Sequence, residues 1–239
     1  MKSLDLTLPT PAENLACDEA LLDFCEETGG DEVLRFWESR TYFVVVGYAN
    51  KAAAEVNLAA CEASNIAVLR RCTGGGTVLQ GPGCLNYSLI LKMERNSVIR
   101  GISTTNRFIL KRHREALGSL LGKKVEMKGQ TDLAIDGLKF SGNAQRRRKN
   151  FLLFHGTFLL DFDLTLLQKV LPMPSKQPDY RHNRTHAEFL TNLNISADAV
   201  KRALQKTWNA NEPLRDYPAE KIGRLAREKY TAPEWNFKC

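Results

Sequence analysis

The sequence predicts an α+β (α/β) fold: a mixed, largely antiparallel sheet with flanking helices, in a single domain spanning residues 1–239. Three observations predict it. Apolar runs of strand length come in pairs joined by short turns, rather than alternating one by one with helices. Amphipathic stretches of helix length fall between those groups. No Pro-, Gly- or Ser-rich linker divides the chain.

The elements follow in order. Asn14 is placed to cap a helix running to about Glu27, with Leu15, Ala16, Leu21, Leu22 and Cys25 as its apolar stripe and Gly29-Gly30 as its stop. VLRFWES and TYFVVVGYAN read as two strands joined by a polar turn, the second apolar on both faces like a central strand. Residues 52–64 read as a helix. IAVLRRC is a strand leading into glycines, and NYSLILKM is the strand beyond them. TTNRFILKRHREALGSLLG is a helix with a basic face and a glycine stop. KVEMKGQTDLAIDGLKFSGNAQRRR reads as short strands around an Asp136-Gly137 hairpin turn, and FLLFHGTFLLDFD as a strong strand. DLTLLQKVL is a short helix ended by Pro172 and Pro174. Residues 174–187 are a polar loop, and two helices follow, at about 196–208 and 218–230.

Composition narrows the function. Hydrophobic residues make up 43% and charged residues 26%, an ordinary globular balance. The formal net charge of +7 favours acidic partners such as nucleotide phosphates, an acidic protein or nucleic acid. No apolar run reaches the roughly 18 residues of a membrane span, and the first residues lack the apolar core of a signal peptide. The six cysteines, at 17, 25, 61, 72, 84 and 239, form no CxxC pair and show no zinc-ligand spacing. A cytoplasmic protein with reduced thiols is expected.

The stretch RRCTGGGTVLQGPGCLNYSLIL, residues 70–91, poses the chemical question. Consecutive glycines are costly to order, so a bare backbone must be needed there; Gly74, Gly75 and Gly76 leave N–H groups open to a phosphate or carboxylate. Of Arg70 and Arg71, one should reach that site and the other should not, because strand neighbours point to opposite faces. The loop is not a P-loop, since no Gly-Lys-Ser/Thr follows, and not a dinucleotide fingerprint, since a strand follows it. Lys139 follows a tight hairpin and precedes Ser141-Gly142-Asn143; in a pocket it would be a compact cation for a reacting oxyanion, and otherwise a surface lysine. His155-Gly156-Thr157 interrupts an apolar strand, which suits either a satisfied core histidine or close approach of a ligand. Trp37 suits core packing or a pocket wall. Arg146-Arg147-Arg148-Lys149 reads as a solvated loop or a patch for an acidic partner. His182 and His186 lack the glutamate of a metalloprotease motif between them.

Taken together, these residues resemble the lipoate–protein ligases and their acyltransferase relatives. RRCTGGGTVLQGPGCLNYSLI is similar to the signature RRxSGGGxVxHxxGxLNYS. DLAIDGLKFSGNAQ and FHGTFLLDFDL are similar to DLxxxGxKxxGxAQ and HHGTLLLDxDL. FWESRTYFVVVGYANKAAAEVN, EFLTNL and EWNF also match, in family order, over about residues 14–237.

The resemblance implies the biotin/lipoate–protein ligase catalytic-domain fold. It implies an ATP-dependent, Mg²⁺-assisted activation of lipoate or octanoate to an acyl-adenylate, followed by transfer to a lysine of a lipoyl-acceptor domain. Such acceptors include dehydrogenase E2 subunits and the glycine-cleavage H protein. Neither nucleic acid nor membrane is an expected partner. By the resemblance, Lys139 is catalytic, touching the acyl carbonyl and the α-phosphate. Arg70, Thr73, Gly74, Gly75, Gly76 and Thr77 cradle the adenylate phosphate and cover the lipoyl chain. Asn86, Tyr87, Ser88, Gly142, Asn143, Ala144, His155, Gly156 and Thr157 line the pocket, and Trp37 and Gly47 wall the dithiolane tunnel. Asp132 sits near the α-phosphate as the Mg²⁺ ligand.

Three positions depart from the family pattern: Gln80 and Phe154 stand where it has His, and Thr131 where it has Asn. Transferase branches carry a nucleophilic cysteine before the DLxxxG strand or in a Pro-Cys-Gly turn; here those segments read VEMKGQT and LPMPSK, which favours adenylate chemistry. Many ligases carry an accessory domain after the WEWNF segment, so the resemblance leaves open a separate small accessory subunit, a self-sufficient catalytic domain, or use of pre-formed lipoyl-AMP alone. The alternatives are an acyltransferase using pre-formed lipoyl-AMP or an acyl carrier and, from another class, a nucleic-acid binder built on the basic helix. A biotin ligase is disfavoured, since its GRGRxG-type loop is absent.

Overall fold

The computed structural model describes residues 1–95 and 97–238; Cys239 lies outside the described residues. Among these, the strands form two sheets. The larger has the order β11-β1-β2-β6-β10-β9-β8-β7, in which β1 (Lys2–Asp5) lies parallel to β2 (Val33–Glu38) and to the short β11 (Glu212–Pro213). β6 (Cys84–Lys92), β10 (Phe151–Leu159), β9 (Leu138–Arg147), β8 (Asp132–Ile135) and β7 (Glu126–Lys128) continue it in antiparallel register. The smaller sheet sets β3 (Phe43–Val46) between β4 (Ala67–Arg70), parallel, and β5 (Val78–Gln80), antiparallel. The expected mixed, largely antiparallel sheet is therefore present, with helices on both faces.

Alternation along each strand divides the core. Leu34, Phe36, Tyr87, Leu89, Phe154 and Phe158 face α4 (Ile102–Leu121) and α7 (Ala197–Trp208). Val33, Trp37, Ile90, Phe151 and Leu153 face α1 (Pro11–Thr28) and α8 (Ala219–Leu225). The smaller sheet packs on α2 (Ala52–Glu55), α3 (Leu58–Ala63) and α5 (Leu164–Val170). The short α6 (His186–Phe189) and α9 (Pro233–Asn236) complete the elements used below.

Several local expectations change. The cap of α1 is Thr10, not Asn14: Pro11 presets the first turn, and Thr10 and Glu13 form a reciprocal capping box. Asn14 is instead buried one turn in, donating to the Leu8 and Thr10 carbonyls. The two strands expected as a joined pair, β2 and β3, belong to different sheets. The helix expected over 52–64 breaks at Val56 and restarts with Asn57 as a new cap. β1 had no counterpart in the sequence reading, since KSLD is too short and polar to stand out. The hairpin turn holds, with φ of 51° at Asp136 and 76° at Gly137, the left-handed pair a two-residue turn requires.

His113, on α4, is fully buried and accepts the Trp208 indole N–H at 2.9 Å. Burial pushes its imidazole down to about 3. The unfolded chain takes up that proton near pH ~6.5, so folding stability is full above that pH and declines below it until the pH nears the folded value. The expected slope is about 1.4 kcal/mol per pH unit. Urea midpoints measured between about pH 6.5 and about pH 4.5 should fall less steeply in His113→Gln than in the parent. Parallel slopes would assign the acid sensitivity elsewhere.

Candidate functional site

The register of the large sheet builds one polar face. Arg35 lies opposite Ser88, Ser88 opposite His155, and His155 opposite Ala144. One step along, Trp37, Asn86, Thr157 and Gly142 form the neighbouring row, which Asp132 extends on β8. A cavity of about 370 Å³ opens over these rows, closed by Val45 and Leu79 of the smaller sheet, by Gly75 and Gly76, and by the segment from Pro174 to Leu190.

One end of the cavity is cationic. Lys139 Nζ lies 2.8 Å from Asp132 Oδ1, while Tyr180 donates its hydroxyl to Asp132 Oδ2 at 2.8 Å. Burial, reinforced by Asp132, raises the Tyr180 phenol, which keeps it a donor at neutral pH. Beside them Arg181 is buried against the Phe189 ring, 4.7 Å from its centroid, and no carboxylate pairs with it among the described residues. Its guanidinium contacts His186 Nδ1 at 3.3 Å, and His186 Nε2 donates to the Pro172 carbonyl. Burial, with Arg181 and Lys139 adding to it, lowers the His186 imidazole and leaves it neutral. Lys176 stands exposed at the mouth. This end therefore holds more cationic than anionic charge.

The glycine loop is set by the two arginines in different ways. Arg71 faces the cavity and donates to the carbonyls of Gly74 and Gly76 at 2.6 and 2.7 Å, and to the Thr73 hydroxyl at 3.0 Å. With those carbonyls turned towards Arg71, the loop is held in one conformation; Gly75 has φ 88°, which a side chain would strain. A methyl at Gly47 would overlap the Gly75 carbonyl, so the bare backbone at both positions lets the strand and loop meet. Arg70 does not line the cavity. Fully buried, its guanidinium donates to the carbonyls of Gly47, Tyr48, Asn50, Trp235, Asn236 and Lys238, tying α9 to the loop after β3. The residue of the pair expected at the ligand is thus replaced by its neighbour, because Arg70 ends an edge strand whose outer side meets the C-terminal segment.

A buried relay joins the loop to α1. His155 Nδ1 donates to Asp18 Oδ2 at 2.8 Å, and Arg35 donates to Asp18 Oδ1 at 2.6 Å. Burial alone would raise the Asp18 carboxyl, but the His155 hydrogen bond and the Arg35 charge hold it below its ordinary value. In the neutral imidazole, Nε2 then accepts the Thr73 hydroxyl, 2.7 Å away. Thr73 is closed off from the cavity, so the relay orients His155 and the loop rather than presenting a nucleophile.

The other end is mostly apolar: Leu15, Val45, Leu79, Leu159 and Trp37, with Cys84 in the wall. Burial pushes the thiols up, to about 11 for Cys72, about 12 for Cys25 and well above the usual thiol range for Cys84, so none is a ready thiolate. Among the described residues no group of three His, Cys, Asp or Glu side chains is arranged to hold a metal ion. No helix among them is long and apolar enough to cross a membrane.

Of the residues expected from the sequence, Trp37, Asn86, Tyr87, Asp132, Lys139, Gly142, Asn143 and Ala144 line this cavity. So do Gly75, Gly76, Thr77, His155, Gly156 and Thr157. Gly47, Arg70, Thr73, Gly74 and Ser88 do not line it. Gly156 lets Asn143 come close, and Asn143 accepts the Tyr87 hydroxyl at 2.5 Å. Sequence reasoning missed Asp18, Tyr180 and Arg181; it raised Arg71 only as the alternative to Arg70 and His186 only against a metal motif. The charges of the 174–187 loop were visible, but only its folding back over β8 and β9 brings them to the site.

A family model described as the lipoyl protein ligase A/B catalytic domain matches residues 10–209. The chain is similar to octanoyltransferase LipM of Geobacillus kaustophilus, at 28% identity covering 95% of this chain and 94% of that protein. It is similar to the probable lipoate-protein ligase A of Mycoplasma pneumoniae, at 31% identity covering 99% of this chain and 72% of the relative. Among solved structures, a lipoate-protein ligase A bound with ATP superposes with a TM-score of 0.82 at 27% identity, covering 99% of this chain and 98% of the other. The bi-partite lipoate protein ligase of Thermoplasma acidophilum, described with its E2 lipoyl domain, gives a TM-score of 0.81 at 28% identity, covering 99% and 95%.

Proposed function

Because the chain belongs to the lipoyl protein ligase A/B catalytic-domain family, whose relatives here are lipoate ligases and octanoyltransferases, we propose that it is an ATP-dependent lipoate–protein ligase. It activates lipoate or octanoate to an acyl-adenylate and passes the acyl group to a lysine of a lipoyl-acceptor domain. One observation carries the choice: an apolar cavity runs up to Lys139 and Arg181, while the cavity-wall thiol of Cys84 is buried and held far from thiolate. A thioester route needs a thiolate, whereas an adenylate route needs cations.

In the first step a carboxylate oxygen attacks the α-phosphorus of ATP, and pyrophosphate leaves with the bonding electrons. Two anions must meet, and Lys139 with Arg181 offsets that repulsion in a partly closed site. In the second step a neutral lysine amine attacks the acyl carbon and AMP departs, the amine giving up its proton. Here orientation does most of the work. Asp132, beside Lys139, would hold a Mg²⁺ ion, which would offset phosphate charge when bound. The net charge of +7 suits an acidic acceptor domain, and a small accessory subunit is a further candidate partner.

The test incubates the chain with lipoate, ATP, Mg²⁺ and a lipoyl domain, reading pyrophosphate release and acceptor mass. Both signals are expected. The LipM relatives favour a second reading, transfer from an octanoyl carrier thioester without ATP; acceptor acylation from that donor alone, with no pyrophosphate from ATP, would establish it. Chelating divalent cations should stop pyrophosphate release while leaving transfer from pre-formed acyl-adenylate intact. Loss of both steps would place the ion in transfer as well.

A further inference from the structure

Arg181 is a buried cation that the fold holds rigid and leaves without a counter-charge. Only 4% of the residue is exposed, and it lines the cavity. Its Nε donates to the Arg184 carbonyl at 2.9 Å. Its Nη2 donates to His186 Nδ1 at 3.3 Å and contacts the Met173 sulfur at 3.6 Å. The Phe189 ring lies under the guanidinium. Arg184 in turn donates to the carbonyls of Tyr180 and Gly137, at 2.9 and 3.2 Å, which pins this segment to the Asp136-Gly137 hairpin. Nη1 is the nitrogen left over: it has no acceptor among the described residues, and it stays open to water. Lys139 differs, since its amine already lies 2.8 Å from Asp132 Oδ1 and an incoming anion must share it. Both cations depress the His186 imidazole, so they serve the same end of the cavity.

Resting on the ligase reading above, we propose that Arg181 is the subsite for the β- and γ-phosphates of ATP and for the pyrophosphate they become, while Lys139 serves the α-phosphate and the acyl carbonyl. The acyl chain takes the apolar end and its carboxylate reaches Lys139, so the remaining phosphates fall to the cation that no carboxylate neutralises. A planar guanidinium suits phosphate oxygens. When the carboxylate oxygen attacks, the bond from the α-phosphorus to the bridging oxygen breaks, and pyrophosphate keeps the electron pair. Negative charge grows on the leaving group, where a donor fixed beforehand acts without rearranging. The role of Arg181 ends with that step. Acyl-adenylate has no β- or γ-phosphate, so attack by the acceptor amine does not call on it.

Two measurements test it. Inorganic pyrophosphate should bind the full chain in calorimetry and raise its melting midpoint, and Arg181→Gln should weaken that binding by about tenfold or more. Pyrophosphate release from ATP in Arg181→Gln should fall about 100-fold, chiefly in kcat, while single-turnover transfer from pre-formed acyl-adenylate changes less than about threefold. Arg181→Lys, which keeps the charge and loses the fork, should recover only part of the pyrophosphate binding. Pyrophosphate held as tightly by Arg181→Gln as by the parent, or the two steps slowed alike, would overturn the inference and leave the adenylate site in place. So would a parent that turns over ATP yet does not bind pyrophosphate, a result that does not depend on how the variants fold. A parent that releases no pyrophosphate from ATP would overturn the ligase reading itself, and the inference with it.

Discussion

Lys139→Ala should lose activity by a factor of about 100 to 1,000, in both adenylate formation and acyl transfer, with its thermal midpoint essentially unchanged. The argument is local. Lys139 is partly exposed at the cavity, its amine lies 2.8 Å from Asp132 Oδ1, and Asp132 keeps its hydrogen bond from Tyr180 when the amine is removed. The fold therefore does not depend on the cation, but the reacting anions do. Pyrophosphate release under saturating ATP, together with single-turnover transfer from pre-formed adenylate, measures the two steps separately. Turnover near the parent value would remove Lys139 from the chemistry. Lys139→Arg should not restore the rate, because a planar guanidinium cannot occupy the position of a compact ammonium beside Gly142, where even an added Cβ would lie 2.9 Å from the Lys139 amine.

Arg70→Ala should act on stability first. It removes a fully buried guanidinium that donates to carbonyls on two distant segments. Losing one side of such an arrangement costs about 3–5 kcal/mol. For a chain of this length that lowers the melting midpoint by roughly 6–20 °C. Arg71→Ala should spare more of the fold and weaken ligand binding instead, since its guanidinium shapes the glycine loop at the cavity wall. Thermal scans of the two variants, paired with acid binding, separate the roles. An Arg70→Ala protein that melts with the parent would show that the C-terminal segment is not held as described.

The comparison of these arginines shows what the sequence made legible and what it did not. Alternation predicts that one of two neighbours faces the site, and it does. Which one depends on strand order: β4 is an edge strand whose flank is filled by residues 235–238, far along the chain. The polar rows on β6, β9 and β10 were legible because small and polar residues interrupt runs that are otherwise apolar. The Asp136-Gly137 turn was legible because only such residues adopt its backbone readily. Asp18 and Arg181 were hidden. Asp18 reads as the polar side of an amphipathic helix until Arg35 and His155 converge on it, and Arg181 reads as a loop residue until its segment folds over the hairpin.

The tie between Arg70 and the last turn has a consequence for biosynthesis. The partner at Trp235 lies 165 positions downstream. At about 5–20 residues per second, a ribosome needs roughly 8–30 s to supply it. Until then the nascent chain holds only the Gly47, Tyr48 and Asn50 half of the Arg70 partners, beside the loop that Gly47 and Gly75 share. Ordering of that clasp is thus among the last events of maturation, and an interrupted translation product ending before residue 235 would emerge without a finished ligand clasp.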